Sequence, residues 1–178
     1  MNCTAFEGSR RIASGDLASV ALQVKEVLDR GETAAVLVFE DDSGRVVDID
    51  WRAPVEETPR RPGRPRLGVV AREVTLLPRH WEWLAGQPGG ASVALRKLVE
   101  QASKSNQERD RIRVARESAY RFMMALAGNE AGFEEATRAL FAGDPDKFER
   151  EVQGWPADVR EHASKMAAAT WPALRLER

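Results

Sequence analysis

"RRPGRPRLGVVAREVTLLPRHWEWLAGQPGGASVALRKLVEQ", residues 60–101, is the stretch whose reading decides the fold. By composition it divides into a basic, proline-bearing arm, a run of apolar and β-branched residues, and two helix-like segments separated by Pro88, Gly89 and Gly90. Pro78 closes the apolar run, and a residue with fixed φ and no amide donor suits the first turn of a helix. The pattern predicts strand, helix, glycine turn, helix. Trp81 and Leu84, with Leu77 ahead of them, form the apolar face of the first helix, and Trp83 points elsewhere. In the second helix Ser92 is the expected cap, and Leu95, Leu98, Val99 and Ala102 recur as a stripe expected to be buried.

Charge singles out the same region. The chain has 178 residues and a formal charge of -1, which argues against a general affinity for nucleic acid. Lys and Arg against Asp and Glu number 5 to 10 in residues 1–51, 13 to 7 in 52–113, and 9 to 11 in 114–178, so the positive charge is concentrated centrally. An apolar share of 43% is that of an ordinary globular protein with one sizeable core or two small ones. No apolar run approaches the ~20 residues of a membrane span. The start, "MNCTAFEGSRR", lacks the layout of a signal peptide. A cytoplasmic location is expected. The single Cys3 excludes an internal disulfide or thiolate zinc cluster and fits a reducing compartment.

Outward from the centre, residues 1–51 read as a small α/β unit. "CTAFEGSRRI" starts as a strand. A helix follows, capped by Ser14 or Asp16 and ended by Gly31, with Leu17, Val20, Ala21, Val24, Val27 and Leu28 on one face. "AAVLVFE" and "RVVDIDW" flank "DDSG" as a hairpin in which Gly44 supplies positive φ. Three strands and one helix in two layers are expected. Glu40, Asp41, Asp42, Asp48 and Asp50 read as a solvated turn and one polar strand face, because their spacing does not match a calcium loop. An acidic surface for a partner is the other reading.

Residues 52–67 form a proline- and arginine-rich arm or linker. Its end, "RRPGRPR", resembles the core of an AT-hook, whose Gly-Arg-Pro centre lies along the minor groove. The resemblance implies that Arg61, Arg64 and Arg66, with Arg60 ahead of them, face the negative potential of that groove. A plain basic linker is the alternative. Residues 68–103 resemble the ribbon-helix-helix fold of the Arc and MetJ type of bacterial repressor, in which two chains pair single strands into a ribbon that enters the major groove. The resemblance implies a homodimer bound to DNA. The amides of Gly90, Ala91, Ser92 and Val93 would clamp a phosphate, with Arg72, Thr75, Arg79, Arg96 and Lys97 beside the backbone or bases. One departure stands out. The register that buries Val70, Val74 and Leu76 turns Ala71, Glu73 and Thr75 outward, and Glu73 suits only a cytosine amino group. His80 reads as a surface or interhelical residue.

From residue 104 to 178 the chain reads as helical. Ile112, Ala115, Ala119, Phe122, Met123 and Leu126 recur at helical spacing up to Gly128. Two or three short helices follow, with Asp144 as a cap, Pro145 and Pro156 in first turns, and Phe133, Phe141, Phe148 and Trp155 as a core stripe rather than a cofactor pocket. "TWPALRLER" reads as a tail. The whole chain also resembles a bacterial family of unknown function through its "GRPRLGVVAREVTLLPRHWEWL" and "ALFAGDPDKFEREVQGWPADVREH" blocks.

The expected fold is α+β: a small N-terminal α/β unit with a β-hairpin, a central ribbon-helix-helix-like segment and a C-terminal helical bundle. The expected function is that of a dimeric DNA-binding regulator, without cofactor or catalytic groups. An interaction or scaffold module whose ribbon only dimerises is the alternative, and the acidic N-terminal or helical C-terminal domain is a possible protein-partner surface. No glycine-rich phosphate loop, metal-ligand spacing or nucleophile with a base in local register points to an enzyme.

Overall fold

A computed structural model describes residues 1–31, 35–49, 70 and 72–171. The chain is α+β and falls into two units, residues 1–55 with 109–178, and residues 56–108.

In the first unit, β1 (Asn2–Glu7) is the central strand of a three-stranded antiparallel sheet, flanked by β2 (Arg10–Asp16) and β3 (Val36–Glu40). Gly8, at φ +57°, makes the two-residue turn from β1 to β2. Only a glycine adopts that conformation without strain. The register shifts once, between Ala5 and Phe6. Residues Cys3 to Glu7 of β1 are all buried, so this strand is covered on both faces. Cys3, Ala5 and Val38 pack with Val20 and Val24 of α1 (Leu17–Asp29). Phe6 and Phe39 face the other way, against the C-terminal helices.

α1 begins where the sequence predicts. The Asp16 carboxylate accepts from the amides of Ala18 and Ser19 and from the Ser19 hydroxyl at 2.6 Å, and that hydroxyl bond comes first in holding its pKa below the usual carboxylate range. Val20, Ala21 and Val24 are buried, while Leu28 lies at the exposed end of the stripe. Burial, reinforced by Asp41 and Glu40, raises the Cys3 thiol pKa and keeps it protonated and unreactive.

Of the predicted hairpin, β3 forms as a strand, but among the described residues its partner run is reduced to one bridge, Phe39 to Val46, with bonds from Glu40 N to Arg45 O at 2.9 Å and from Val47 N to Val38 O at 2.7 Å. Asp50 and Trp51 lie outside the described residues. The third strand is instead β2, a run that the sequence presents as the approach to α1.

The helices are α2 (Pro78–Ala85), α3 (Gly90–Ala127), α4 (Phe133–Ala142), α5 (Pro145–Glu151) and α6 (Ala157–Ala168). The two helices expected on either side of residue 104 are one helix of 38 residues. No Pro or Gly interrupts Ala91–Ala127, and pairs such as Lys104 with Glu100 at 2.9 Å support its exposed stretch. In the first unit Ala119, Phe122, Met123 and Ala127 of α3 join Ala136, Leu140, Phe148, Val152, Trp155, Val159 and Ala163 around Phe6 and Phe39 in one core. The two ends of the chain, read from sequence as separate domains, therefore share apolar side chains. Arg11 of β2 ties in α6 as well, through its amide to Asp158 at 2.8 Å and its guanidinium to Glu161 at 3.2 Å.

Asp144 caps α5 by accepting from Lys147 N at 2.9 Å, with Pro145 next, as expected. Pro156 takes the N-cap position of α6 rather than its first turn. Of the aromatic stripe, Phe148 and Trp155 are core, Phe133 is partly buried, and Phe141 is 46% exposed. The Trp155 indole donates to Ala131 O at 3.0 Å.

Candidate functional site

The second unit is small. Its described part is residue 70, residues 72–77, α2, and α3 as far as Glu108; the strand expected before Pro78 does not form among these residues, since no second strand is there to pair with it. Leu77, at φ −66° and ψ 151°, is the N-cap of α2 with no side-chain hydrogen bond, and Pro78 holds N1 as the sequence predicts. After α2 the chain turns through Gly89 (φ +85°) and Gly90 (φ +74°). A Cβ on Gly89 would lie 3.1 Å from the Val93 side chain, so the turn needs glycine for both conformation and space.

α3 starts at Gly90, which places Ser92 inside the first turn and corrects its expected role as N-cap. The Gly90 amide donates to Gln87 O at 2.9 Å and so is not available to an anion; the amides of Ala91, Ser92 and Val93 follow it in the first turn, where a helix supplies no internal acceptors. Arg96 Nε reaches back to Ser92 O at 3.1 Å, which holds the guanidinium near this helix start.

Of the apolar residues described in this unit, only Leu84 and Ala94 are buried. Leu76 and Leu95 are half-buried. Val70, Val74, Leu77, Trp81, Trp83, Leu98 and Val99 are exposed, the last by 64%. The expected burial of Val70 and Val74, and of the Leu98, Val99 and Ala102 stripe, therefore does not occur within one chain. Two short amphipathic elements do not offer enough facing surface to cover both apolar sides. Trp83 also differs from expectation: with Leu76, His80, Leu84, Leu95 and Leu98 it lines an open apolar groove of about 250 Å³. His80 thus belongs to the apolar side of α2.

Arg72, Thr75, Arg79, Arg96 and Lys97 are all exposed, as is Glu73. Arg60, Arg61, Arg64 and Arg66 lie outside the described residues.

The first unit holds a second concave site that the sequence does not reveal. Asn2, Asp41, Asp42, Ser118, His162 and Lys165 are among the residues lining a cavity of about 350 Å³. Asp41 accepts from Thr4 Oγ1 at 2.7 Å and has Lys165 Nζ at 3.9 Å. His162 is 2% exposed, its ring 4.6 Å from that of Phe122 and 5.6 Å from that of Phe6, and its Nε2 has no hydrogen-bond partner among the described residues. Burial comes first in pushing its pKa down, so the ring is neutral. The acidic turn, read as solvated, in fact packs on α3: the Ser118 hydroxyl donates to Asp42 O at 2.9 Å and Arg121 donates to Ser43 O at 2.9 Å. Nothing in the local spacing of "DDSG" signals this, because its partners are some 76 residues away. Among the described residues no group of three or more His, Cys, Asp or Glu is placed to hold a metal ion, and no helix is long and apolar enough to cross a membrane.

No curated protein and no solved structure matches the chain. A family model does, over residues 2–167, so that both α2 with the start of α3 and the core of the first unit fall within it, and the chain belongs to DUF2239, a family described as an uncharacterized protein conserved in bacteria.

Proposed function

We propose that this protein is a homodimeric DNA-binding protein, acting as a transcriptional regulator, in which residues 68–103 serve as a ribbon-helix-helix-like element. The observation that carries the proposal is the apolar surface left open on a segment-helix-helix unit. Val74, Leu77, Trp81, Trp83, Leu98 and Val99 are exposed, and Trp83 and Leu98 line an apolar groove with Leu76, Leu84 and Leu95. Exposed apolar groups this dense on so small a unit mark an interface. A twofold mate whose extended segment pairs along residues 72–77 would cover them and satisfy the backbone groups there.

Phosphate binding is supported by exposed Arg72, Arg79, Arg96 and Lys97, by the first-turn amides of α3, and by the sequence of the arm with Arg60, Arg61, Arg64 and Arg66. Gly90 drops out as an amide donor, and Ser92 contributes its backbone rather than a cap.

A second reading has its own observation. Exposed Glu73 stands beside exposed Val74, a chemistry that suits pairing of two chains better than reading bases. In that case the unit dimerises and does not touch DNA.

Light scattering and gel-shift titration separate the two. The proposal expects a particle of twice 19.8 kDa that retards genomic fragments, with affinity falling steeply as salt rises. Charge reversal at Arg79 and Arg96 would weaken retardation without changing the mass. A folded dimer that retards no DNA at low salt supports the scaffold reading, and a monomer overturns both.

A further inference from the structure

A cleft in the first unit, apart from the surfaces discussed above, holds arginines that the fold leaves without acceptors. Arg109, Ile112, Arg113, Arg116 and Glu117 of α3 and Phe141 of α4 line a pocket of about 360 Å³. The three guanidiniums differ in their commitments. Arg113 is held between Asp110 at 3.2 Å and Glu117 at 3.4 Å, which raises its pKa, and Glu117 also accepts from Arg121 at 3.3 Å. Arg109 and Arg116 form no ion pair or hydrogen bond among the described residues. Arg116 is the telling case, because it is half-buried and its Nε is covered with no acceptor.

A guanidinium covered in this way costs free energy unless something accepts from it. Its position is nevertheless defined. Gly143 ends α4 at φ +79°, and a Cβ there would lie 3.0 Å from Arg116 Nη2, so the glycine leaves room for the guanidinium against the C-terminal turn of α4. The negative end of that helix favours the cation and holds it in place. Phe141, 46% exposed, offers a ring beside the arginines and is itself steadied by Tyr120, whose ring centroid is 6.0 Å away at 64°. Two unpaired guanidiniums and an open aromatic ring recognise an anion that carries a flat apolar group.

We infer that this cleft binds a small phosphorylated ligand of the nucleoside monophosphate class, with Arg109 and Arg116 taking the phosphate and Phe141 and Ile112 taking the base. The site is independent of the DNA-binding proposal: all its residues lie in the first unit, and its test contains no DNA. It supplies a ligand-sensing function that the open apolar unit does not provide.

Isothermal titration of the full chain with adenosine 5′-monophosphate, inorganic phosphate and adenosine tests it. The nucleotide is expected to bind at least about tenfold more tightly than either fragment. Arg116→Gln should weaken the nucleotide by about tenfold or more, the scale of a lost charge-assisted pair. Arg109→Gln, at an exposed position that does not endanger folding, should weaken both nucleotide and phosphate. Phe141→Ala should weaken the nucleotide and leave phosphate unchanged. Circular dichroism of each variant establishes that it is folded. The inference is overturned if folded wild-type protein shows no heat up to about 1 mM nucleotide, or if Arg109→Gln and Arg116→Gln bind as wild type. Equal affinity for nucleotide and phosphate, or binding of an oligonucleotide without the mononucleotide, overturns it too.

Discussion

Gly44 and Ser118 approach so closely that a Cβ on residue 44 would fall 2.1 Å from the Ser118 carbonyl oxygen. The turn after β3 rests backbone against backbone on α3, and Gly44 also sits at φ +61°. Gly44→Ala therefore combines a left-handed backbone with a clash that no rotamer can relieve. A loss of about 2–4 kcal/mol is expected, since each such source of strain costs about 1–3 kcal/mol. Urea denaturation would read it as a lower midpoint with an unchanged slope, and a shift below about 0.5 kcal/mol would mean that the turn does not pack there.

His162 makes the first unit sensitive to mild acid. Its folded pKa lies below the ordinary value near 6.5, chiefly through burial, with Lys165 and Arg11 lowering it and Asp41 and Glu161 opposing them. Below that ordinary value the unfolded chain binds a proton that the folded chain refuses, so stability is full above about pH 6.5 and declines as pH falls through it, by at most about 1.4 kcal/mol per unit. Thermal melts from pH 8 to 5 should show this decline, and His162→Leu should flatten it. An identical pH profile in the variant would remove His162 as its source.

Trp155 Nε1 donates to Ala131 O at 3.0 Å while its ring stacks on Phe133 at 6.4 Å. Trp155→Phe keeps an aromatic ring and removes the donor to the Ala131 carbonyl. Ala131 is exposed, so water can replace the indole donor, and a cost of only about 0.5–1.5 kcal/mol is expected from the lost hydrogen bond. Guanidinium denaturation of the variant would measure it, and a loss above about 3 kcal/mol would show that the carbonyl is sealed from water.

Leu98 and Val99 are 43% and 64% exposed on α3. A dimer that covers them should dissociate when both are changed to Glu, with the first unit still folded. Sedimentation should then give a single-chain mass with near-native helical circular dichroism. Retention of the dimer would place its interface elsewhere.

Local features were legible because their causes are local. Asp16, Pro78, Asp144 and Pro145 mark helix starts through bonds or φ constraints that reach three residues at most, and each appears where the pattern places it. Ser92 is not the cap that its residue type suggests, because the glycine turn admits α3 two residues earlier, at Gly90. The division at residue 104 is not a break in secondary structure, since a change from apolar stripe to mixed charge alters what a helix faces and not whether it forms.

By itself the sequence determined the α+β class, the helix boundaries near its prolines and capping acids, and the glycine turn between Pro88 and Ala91. Only tertiary structure decided that β2 and β3 flank β1, that Phe6 and Phe39 share a core with Phe122 and Trp155, and that Arg116 lies covered beside Gly143. The physical reason is range. Capping and φ preference act within a turn of chain, whereas strand pairing and burial depend on which apolar faces meet after loops of many residues have closed.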